Sequence, residues 1–417
     1  MSAPRTMLLA AAGGALAGLA ANAAGSGSRW VSFAVDGVAQ PVGQLFLRLL
    51  FMLVVPLLFS AIVVGICDLD VRHLGRLGAR MLGYTIVVSG IAVAIGLTLV
   101  NVLEPGRGLE AAARQMAAER SVAVSPAAPP PAGVSFVAAL VPDNPVKAAA
   151  TGDMIGLIVF SILFGIGLST VRTPPADRLR EVVQGLYEVS MRLVDGVLRV
   201  APIGVAALLF AMTAKLGIGL VRHVAAYVAV VVLGLAIHLF VVYAVSVKAL
   251  GGMSPRRFFS GSRLAMATAF STASSNATLP TALKVAEENL GLPRHVARFV
   301  LTAGSAMNQN GTALFEGVTV LFLAQVFGVE LGLARQALVM GICILAGVGT
   351  AGVPAGSIPV IAMILGMLGI PVEGLALVLG VDRLLDMCRT TVNVTGDLAA
   401  AVYVARGEPA SPDAPSR

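Results

Sequence analysis

Charge is the scarcest commodity in this sequence. Asp, Glu, Lys and Arg together make up 12% of its 417 residues, where a soluble globular chain carries about 25%. That shortage excludes a water-soluble protein and a charge-rich disordered one. Cysteine is equally sparse. Cys67, Cys343 and Cys388 are the three present, each in or beside an apolar run, which excludes a disulfide framework and gives no zinc-ligand spacing. The four His are scattered, so no Ser/His centre assembles itself. The net charge is +7, yet the basic residues fall between apolar runs and form no patch. They read as topology signals, and no nucleic-acid partner is expected.

What is present is length in apolar runs. Hydrophobic residues reach 57% and the mean hydropathy is +0.89. Lipid admits only helices and closed barrels. A barrel needs alternating segments of about ten residues; runs of about 20 predict an all-α polytopic membrane protein instead. The stretch from Met7 to about Ala24 follows Arg5 and ends in Ala21-Asn22-Ala23, which has the look of a cleavage site; its length favours a retained first helix over a signal peptide. Further spans are predicted at 43–67, 81–103, 154–171, 189–213 and 224–247. Arg72, Arg76 and Arg80 follow the second span, Arg172, Arg178 and Arg180 the fourth, Lys248, Arg256 and Arg257 the sixth. Positive loops stay in the cytoplasm, which puts the N-terminus inside. The 104–150 connection, with Ala-Pro-Pro-Pro-Ala at 128–132, reads as a flexible outer loop.

Beyond residue 253 the pattern changes. Segments 256–289 and 332–370 are apolar but interrupted, the first by Ser271 to Pro280, the second by Gly347 to Ser357. Arms of about 11–18 residues span roughly 16–27 Å, mostly short of a hydrocarbon core of about 30 Å. Two such segments predict re-entrant hairpins, and paired broken segments point to a transporter binding site. Between them, 296–327 is broken by Asn308-Gln309-Asn310-Gly311-Thr312. Polar groups at that depth are costly unless they bind something. Gly311 is expected to let the helix unwind and expose carbonyls to a hard cation; interhelical hydrogen bonding is the alternative.

The last segment, 372–406, carries a polar stripe. Asp382, Asp386, Arg389, Asn393 and Asp397 recur at spacings of 4, 3, 4 and 4, a sector of about 80° on a helix. Thr390 lies on its flank. Ionisable groups inside a membrane face a cavity or bundle interior. Arg389 offers a planar fork for a carboxylate and Asp386 an acceptor for an ammonium, so the pair suits a zwitterion or an acidic amino acid. Asn393 and Asp397 offer oxygens to a monovalent cation. Asp382 is either part of this site or structural, pairing with neighbouring hydroxyls.

These motifs carry a resemblance. Phe51-Met52-Leu53-Val54-Val55-Pro56-Leu57, Ser274-Ser275-Asn276-Ala277-Thr278-Leu279-Pro280, Asn308 to Thr312, Gly349 to Pro354 and Asp386 to Asp397 occur in the order seen in the dicarboxylate/amino acid:cation symporter family. The chain resembles that family over about residues 43–406. The resemblance implies eight transmembrane helices plus two re-entrant helical hairpins, inverted repeats and an elevator-type transporter assembled as a homotrimer in the cell membrane. It implies scaffold helices within 1–75 and 105–218, the latter with the outer loop. Transport-domain helix 3 would lie at 76–104, the transport core at 219–407 and a cytoplasmic tail at 408–417. Both termini would be cytoplasmic. By the same resemblance, Arg389 holds a side-chain carboxylate and Asp386 the amino group. Ser275, Thr312, Val353, Ser357, Thr390 and Asn393 complete the substrate site. Sodium would sit near Gly304, Asn308, Asn393 and Asp397, and near Thr350, with Ser89 and Asn310 at a further cation site. No tightly bound cofactor is expected beyond Na+ and/or H+ as coupling ions.

The departures from the family pattern sharpen this. Asn310 stands where Asp is usual, Gln309 where Met is usual, and Val88 where a ligating Thr is expected. The further cation site thus loses oxygens at two positions. Arginines that relatives carry in the first hairpin or beside Asp386 are here Ala273 and Met387, leaving Arg383 to compensate or not. By the same resemblance, Glu316 occupies the position of a glutamate implicated in proton co-transport in animal relatives; a salt-bridged or hydrogen-bonded buried acid is its structural alternative. The expected function is import of aspartate or glutamate coupled to sodium and/or protons. Carriers of neutral amino acids or C4-dicarboxylates are the nearest alternative, although plain C4-dicarboxylate relatives lack an Asp matching Asp386. A channel would need a repeated pore helix and filter, and an intramembrane hydrolase a second acidic helix facing Asp382 and Asp386. Neither is visible.

Overall fold

Pro56 shows how single residues shape this bundle. It has no N–H to give to Met52, and the predicted span 43–67 is accordingly two helices, α3 (Gln40–Met52) and α4 (Val54–Asp68), meeting at a turn at Leu53. A computed structural model describes residues 3–25, 28–68, 75–108, 141–151, 154–349 and 357–408. Among them there is helix and connection but no strand. Ahead of α3 lie α1 (Ala3–Ala23), the short α2 (Arg29–Ser32) and a π-helical stretch, Phe33–Ala39. After α4 come α5 (Gly75–Leu103), α6 (Pro145–Thr151) and α7 (Met154–Thr170).

Next is α8 (Pro174–Leu216), whose 43 residues run about 65 Å at 1.5 Å per residue. The span predicted at 189–213 is therefore only its C-terminal part. Thr173 caps the helix, accepting from Ala176 N, and Pro174 and Pro175 open it. Arg178 and Arg180 consequently sit on a helix, not in a loop. Helix α1 lies along α8 through small residues: a Cβ on Gly14 or Gly18 would collide with the α8 backbone at Ala206 or Phe210.

Helix α9 (Ile218–Ile237) continues through a π-helical turn, His238–Val242, into α10 (Tyr243–Ala249). The first interrupted segment forms α11 (Pro255–Thr272) and α12 (Ser275–Lys284), the latter extended by a π turn to Asn289. Its break is narrower than the ten-residue interruption at 271–280 suggested. Ala273 turns the chain with φ of 49°, a left-handed conformation costly for a residue with a Cβ. Ser274 then caps α12 through Ala277 N, and Thr272 and Thr278 hydroxyls meet at 3.0 Å.

Helix α13 (Arg294–Met307) and α14 (Asn310–Phe327) follow, then α15 (Leu333–Gly349), α16 (Ser357–Leu368) and α17 (Leu375–Ala405). The tip between α15 and α16 lies outside the described residues, and with it Thr350 and Val353. Among the described residues, three stretches are long and apolar enough to cross a membrane: Leu77–Leu103, Ile218–Ala249 and Arg294–Phe327. Every residue of α14 except Gln325 is buried. It is wrapped by α5, α9, α15, α16 and α17, so all its faces are core and its polar N-terminus is enclosed with them.

Candidate functional site

Helix α17 delivers the whole predicted stripe to the interior. Asp382, Asp386, Arg389, Thr390, Asn393 and Asp397 are all buried, Arg389 being 2% exposed. A buried guanidinium needs partners, because breaking a buried ion pair costs about 3–5 kcal/mol. Arg389 has two. Its Nε donates to Asp386 Oδ1 at 2.9 Å and its Nη1 to Asp382 Oδ1 at 3.0 Å. Asp382 therefore belongs to the charged cluster, and its expected pairing with hydroxyls is replaced by an ion pair. The surplus carboxylate is answered by Arg383, whose Nη1 lies 3.7 Å from Asp386 Oδ2. The Phe315 ring closes one face of the guanidinium, with Arg389 Cζ 4.3 Å from its centroid.

Glycine lets α14 approach this cluster. A Cβ on Gly311 would stand 2.7 Å from Arg389 O and 3.1 Å from Arg389 Cα. Gly311 thus serves close packing and not the expected unwinding. The helix opens one step earlier, at Asn308 and Gln309. The freed N–H groups at the start of α14 are taken by Asn393 Oδ1, which accepts from Gly311 N at 2.7 Å and Thr312 N at 3.4 Å. Asn393 Nδ2 donates to Thr312 Oγ1 at 3.0 Å and to Gln309 Oε1.

Asn310 anchors a second chain of neutral bonds. It accepts from Ser89 Oγ on α5 and donates to the Tyr243 hydroxyl at 3.0 Å, which donates to Val392 O at 3.1 Å. A Cβ on Gly396 would collide with that hydroxyl. Val88, one position before Ser89, is buried and adds no oxygen.

Two acids lack such balance. Asp397, 3% exposed, receives among the described residues only the Asn308 amide, at 3.0 Å. Asn308 Oδ1 beside it is buried without a partner. A Cβ on Gly304 would fall 2.5 Å from Asp397 Oδ1, so glycine is needed there. Glu316 is 0% exposed, and among the described residues neither carboxyl oxygen has a hydrogen-bond partner. A buried carboxylate without a hydrogen-bonded countercharge is costly.

The structure therefore brings Asp386, Arg389, Thr390, Asn393, Thr312 and Asp397 together where α14 meets α17. Ser275 is buried behind the α11–α12 turn, and Ser357 is buried at the start of α16 with its Oγ unpartnered. Ala273 and Met387 supply no charge, while Arg383 Nη1 lies 3.7 Å from Asp386 Oδ2. Sequence reasoning missed Tyr243 and Phe315. Phe315 lies three residues after Thr312, on the same face of α14, and Tyr243 is one of only five Tyr; those were the available signals.

The family model described as "Sodium:dicarboxylate symporter family" matches residues 5–407. The "Proton/glutamate-aspartate symporter" of Escherichia coli is 33% identical over 378 residues, 90% of this chain and 86% of the relative. The "Proton/sodium-glutamate symport protein" of Bacillus subtilis is 32% identical, covering 88% of this chain and 86% of the relative. The "C4-dicarboxylate transport protein" of Rhodospirillum rubrum is 31% identical, covering 88% and 82%. With a family match running nearly end to end, and the motifs of α14 and α17 meeting in a buried polar cluster, this chain belongs to the sodium:dicarboxylate symporter family, whose members are membrane transporters and not enzymes.

Proposed function

We propose that this chain is a secondary active symporter that imports an acidic amino acid, aspartate or glutamate, coupled to sodium and/or protons. The observation that carries the reading is the ion pair of Arg389 with Asp386 inside the bundle. A guanidinium and a carboxylate one helical turn apart support a site for a ligand of both signs, with the carboxylate meeting Arg389 and the ammonium Asp386. The names of the Escherichia coli and Bacillus subtilis relatives support glutamate and aspartate as substrates and protons or sodium as coupling ions. In this reading Ser275, Thr312, Val353, Ser357, Thr390 and Asn393 line the substrate. Asp397, Asn308 and Gly304 hold a coupling cation, with Thr350 at a second position. The donor chemistry fits, since an unpaired carboxylate beside an orphaned amide oxygen suits a hard monovalent ion. Glu316 carries a proton.

The same proposal includes eight spans and two hairpins, a homotrimer, and cytoplasmic termini. Residues 76–104 and 219–407 move as a transport unit against scaffold helices in 1–75 and 105–218. A C4-dicarboxylate carrier is the second reading, favoured by the Rhodospirillum rubrum relative and opposed by Asp386, which would have no ammonium to meet.

Uptake by proteoliposomes, with sodium and proton gradients imposed one at a time, tests it. Saturable accumulation of labelled aspartate or glutamate under at least one gradient is expected. Preference for succinate or serine would overturn the substrate, and a non-saturating current would overturn carriage itself.

A further inference from the structure

Gln309 occupies the break between α13 and α14 in an unusual manner. Its side-chain Nε2 donates to Ser305 O at 2.9 Å, the carbonyl its own backbone N–H would take in an unbroken helix. That backbone N–H turns to Gly347 O on α15, at 3.4 Å. The side-chain oxygen is left facing α17, where it accepts from Asn393 Nδ2, with Thr312 Oγ1 at 3.5 Å. Both carboxamides are buried, Gln309 at 4% and Asn393 at 2% exposure.

The valences of Asn393 can be counted. A carboxamide has two N–H donors and an oxygen with two lone pairs. The oxygen is used by the N–H groups of Gly311 and Thr312, and the two donors by Gln309 Oε1 and Thr312 Oγ1. Backbone N–H groups pin the oxygen, so the NH2 cannot turn elsewhere. A ligand carboxylate can gain a hydrogen bond from Asn393 only by taking it from Gln309 or Thr312.

We infer that Gln309 determines specificity by competing with substrate carboxylates for the Asn393 donor. The inference rests on the reading in which Asn393 and Thr312 line the substrate. A side chain of equal length without an amide oxygen leaves that hydrogen to the ligand, so Gln309 holds affinity for acidic substrates down.

Calorimetric titration of the full chain with L-aspartate, at fixed sodium and pH, tests this. Gln309→Met is expected to tighten aspartate binding about 3- to 10-fold, the range of one net hydrogen bond. Gln309→Glu keeps the acceptor and adds a negative charge, and is expected to weaken binding. In an Asn393→Ala background, Gln309→Met is expected to change nothing further. Unchanged or weaker binding by Gln309→Met, or the same gain with Asn393 removed, overturns the inference. A merely structural Gln309 would instead lower the melting temperature and weaken binding whether or not Asn393 is present. Wild type that binds no acidic amino acid overturns the substrate reading itself, and this inference with it.

Discussion

The two ends of the polar stripe on α17 handle charge in opposite ways. From Asp382 to Arg389, each carboxylate has a guanidinium within 3.0 Å and Arg383 stands by at 3.7 Å. From Asn393 to Asp397, among the described residues, amides and hydroxyls are the partners, and Asp397 has only Asn308. The first end is satisfied by its own ion pairs; in the proposed function a zwitterion would replace one internal pair with two external ones. The second end has a carboxylate that no cationic side chain among the described residues pairs with, a costly arrangement at that depth. In the proposed function, the substrate and coupling groups thus occupy one helix about two turns apart.

Breaking the first end should have the largest effect. Arg389→Cys is expected to weaken aspartate or glutamate binding about 10- to 150-fold, the worth of charge-assisted, forked hydrogen bonds. It should also open the site to serine or alanine, because Asp386 keeps its ammonium contact, while succinate should gain nothing. Calorimetry with aspartate, serine and succinate measures all three; retained aspartate affinity would refute Arg389 as the anchor.

Neutralising the second end comes next. Asp397→Asn removes the uncompensated charge, so substrate binding should lose roughly 10-fold or more in apparent cation affinity. Titrating sodium at fixed aspartate reads this directly, and an unaltered sodium dependence would take Asp397 out of the cation site.

A subtler change sharpens the contrast between the ends. In the wild type, Ser89, Asn310, Tyr243 and Val392 O satisfy one another without an ion, so fewer than three sodium ions per substrate are expected from reversal potentials. Asn310→Asp replaces a neutral link with a buried carboxylate and should add one cation, sodium or proton, to the stoichiometry. Three sodium ions in the wild type would contradict the idea.

The smallest effect on binding belongs to Glu316→Gln. The carboxyl has no hydrogen-bond partner to lose, so aspartate affinity should stay within about 3-fold. The pH dependence of uptake should disappear if that carboxyl carries the proton. Uptake measured from pH 5 to 8 decides between a carrier of protons and a buried structural acid.

Much of this site was legible in the sequence, and for a definite reason. Spacings of 4, 3, 4 and 4 fix a face of a helix wherever the helix sits, and the cost of burying charge makes that face functional. The interruption at Asn308 to Thr312 was legible for the same reason. Its detail was not: Gly311 read as the point of unwinding, yet it is helical and serves as the contact through which α14 touches Arg389. The partner of Asp382 was not legible either, since a seven-residue separation along one helix reaches Arg389 only through the particular extension of a long side chain. Helix α8 was underestimated at its N-terminus because Arg178 and Arg180 resemble loop residues; the Thr173 cap and the two prolines were the better guide.

The sequence by itself determined that this chain is a helical membrane protein with a polar stripe and broken helices, because hydropathy and helical period are properties of local chain; that it is a transporter rests on its family motifs. Only the tertiary structure decided which polar groups satisfy each other. Asn393 meets Gln309, Asn310 meets Ser89 and Tyr243, and Asp397 is left with a single amide, because hydrogen bonds of 2.5–3.0 Å depend on how three or four separate helices pack.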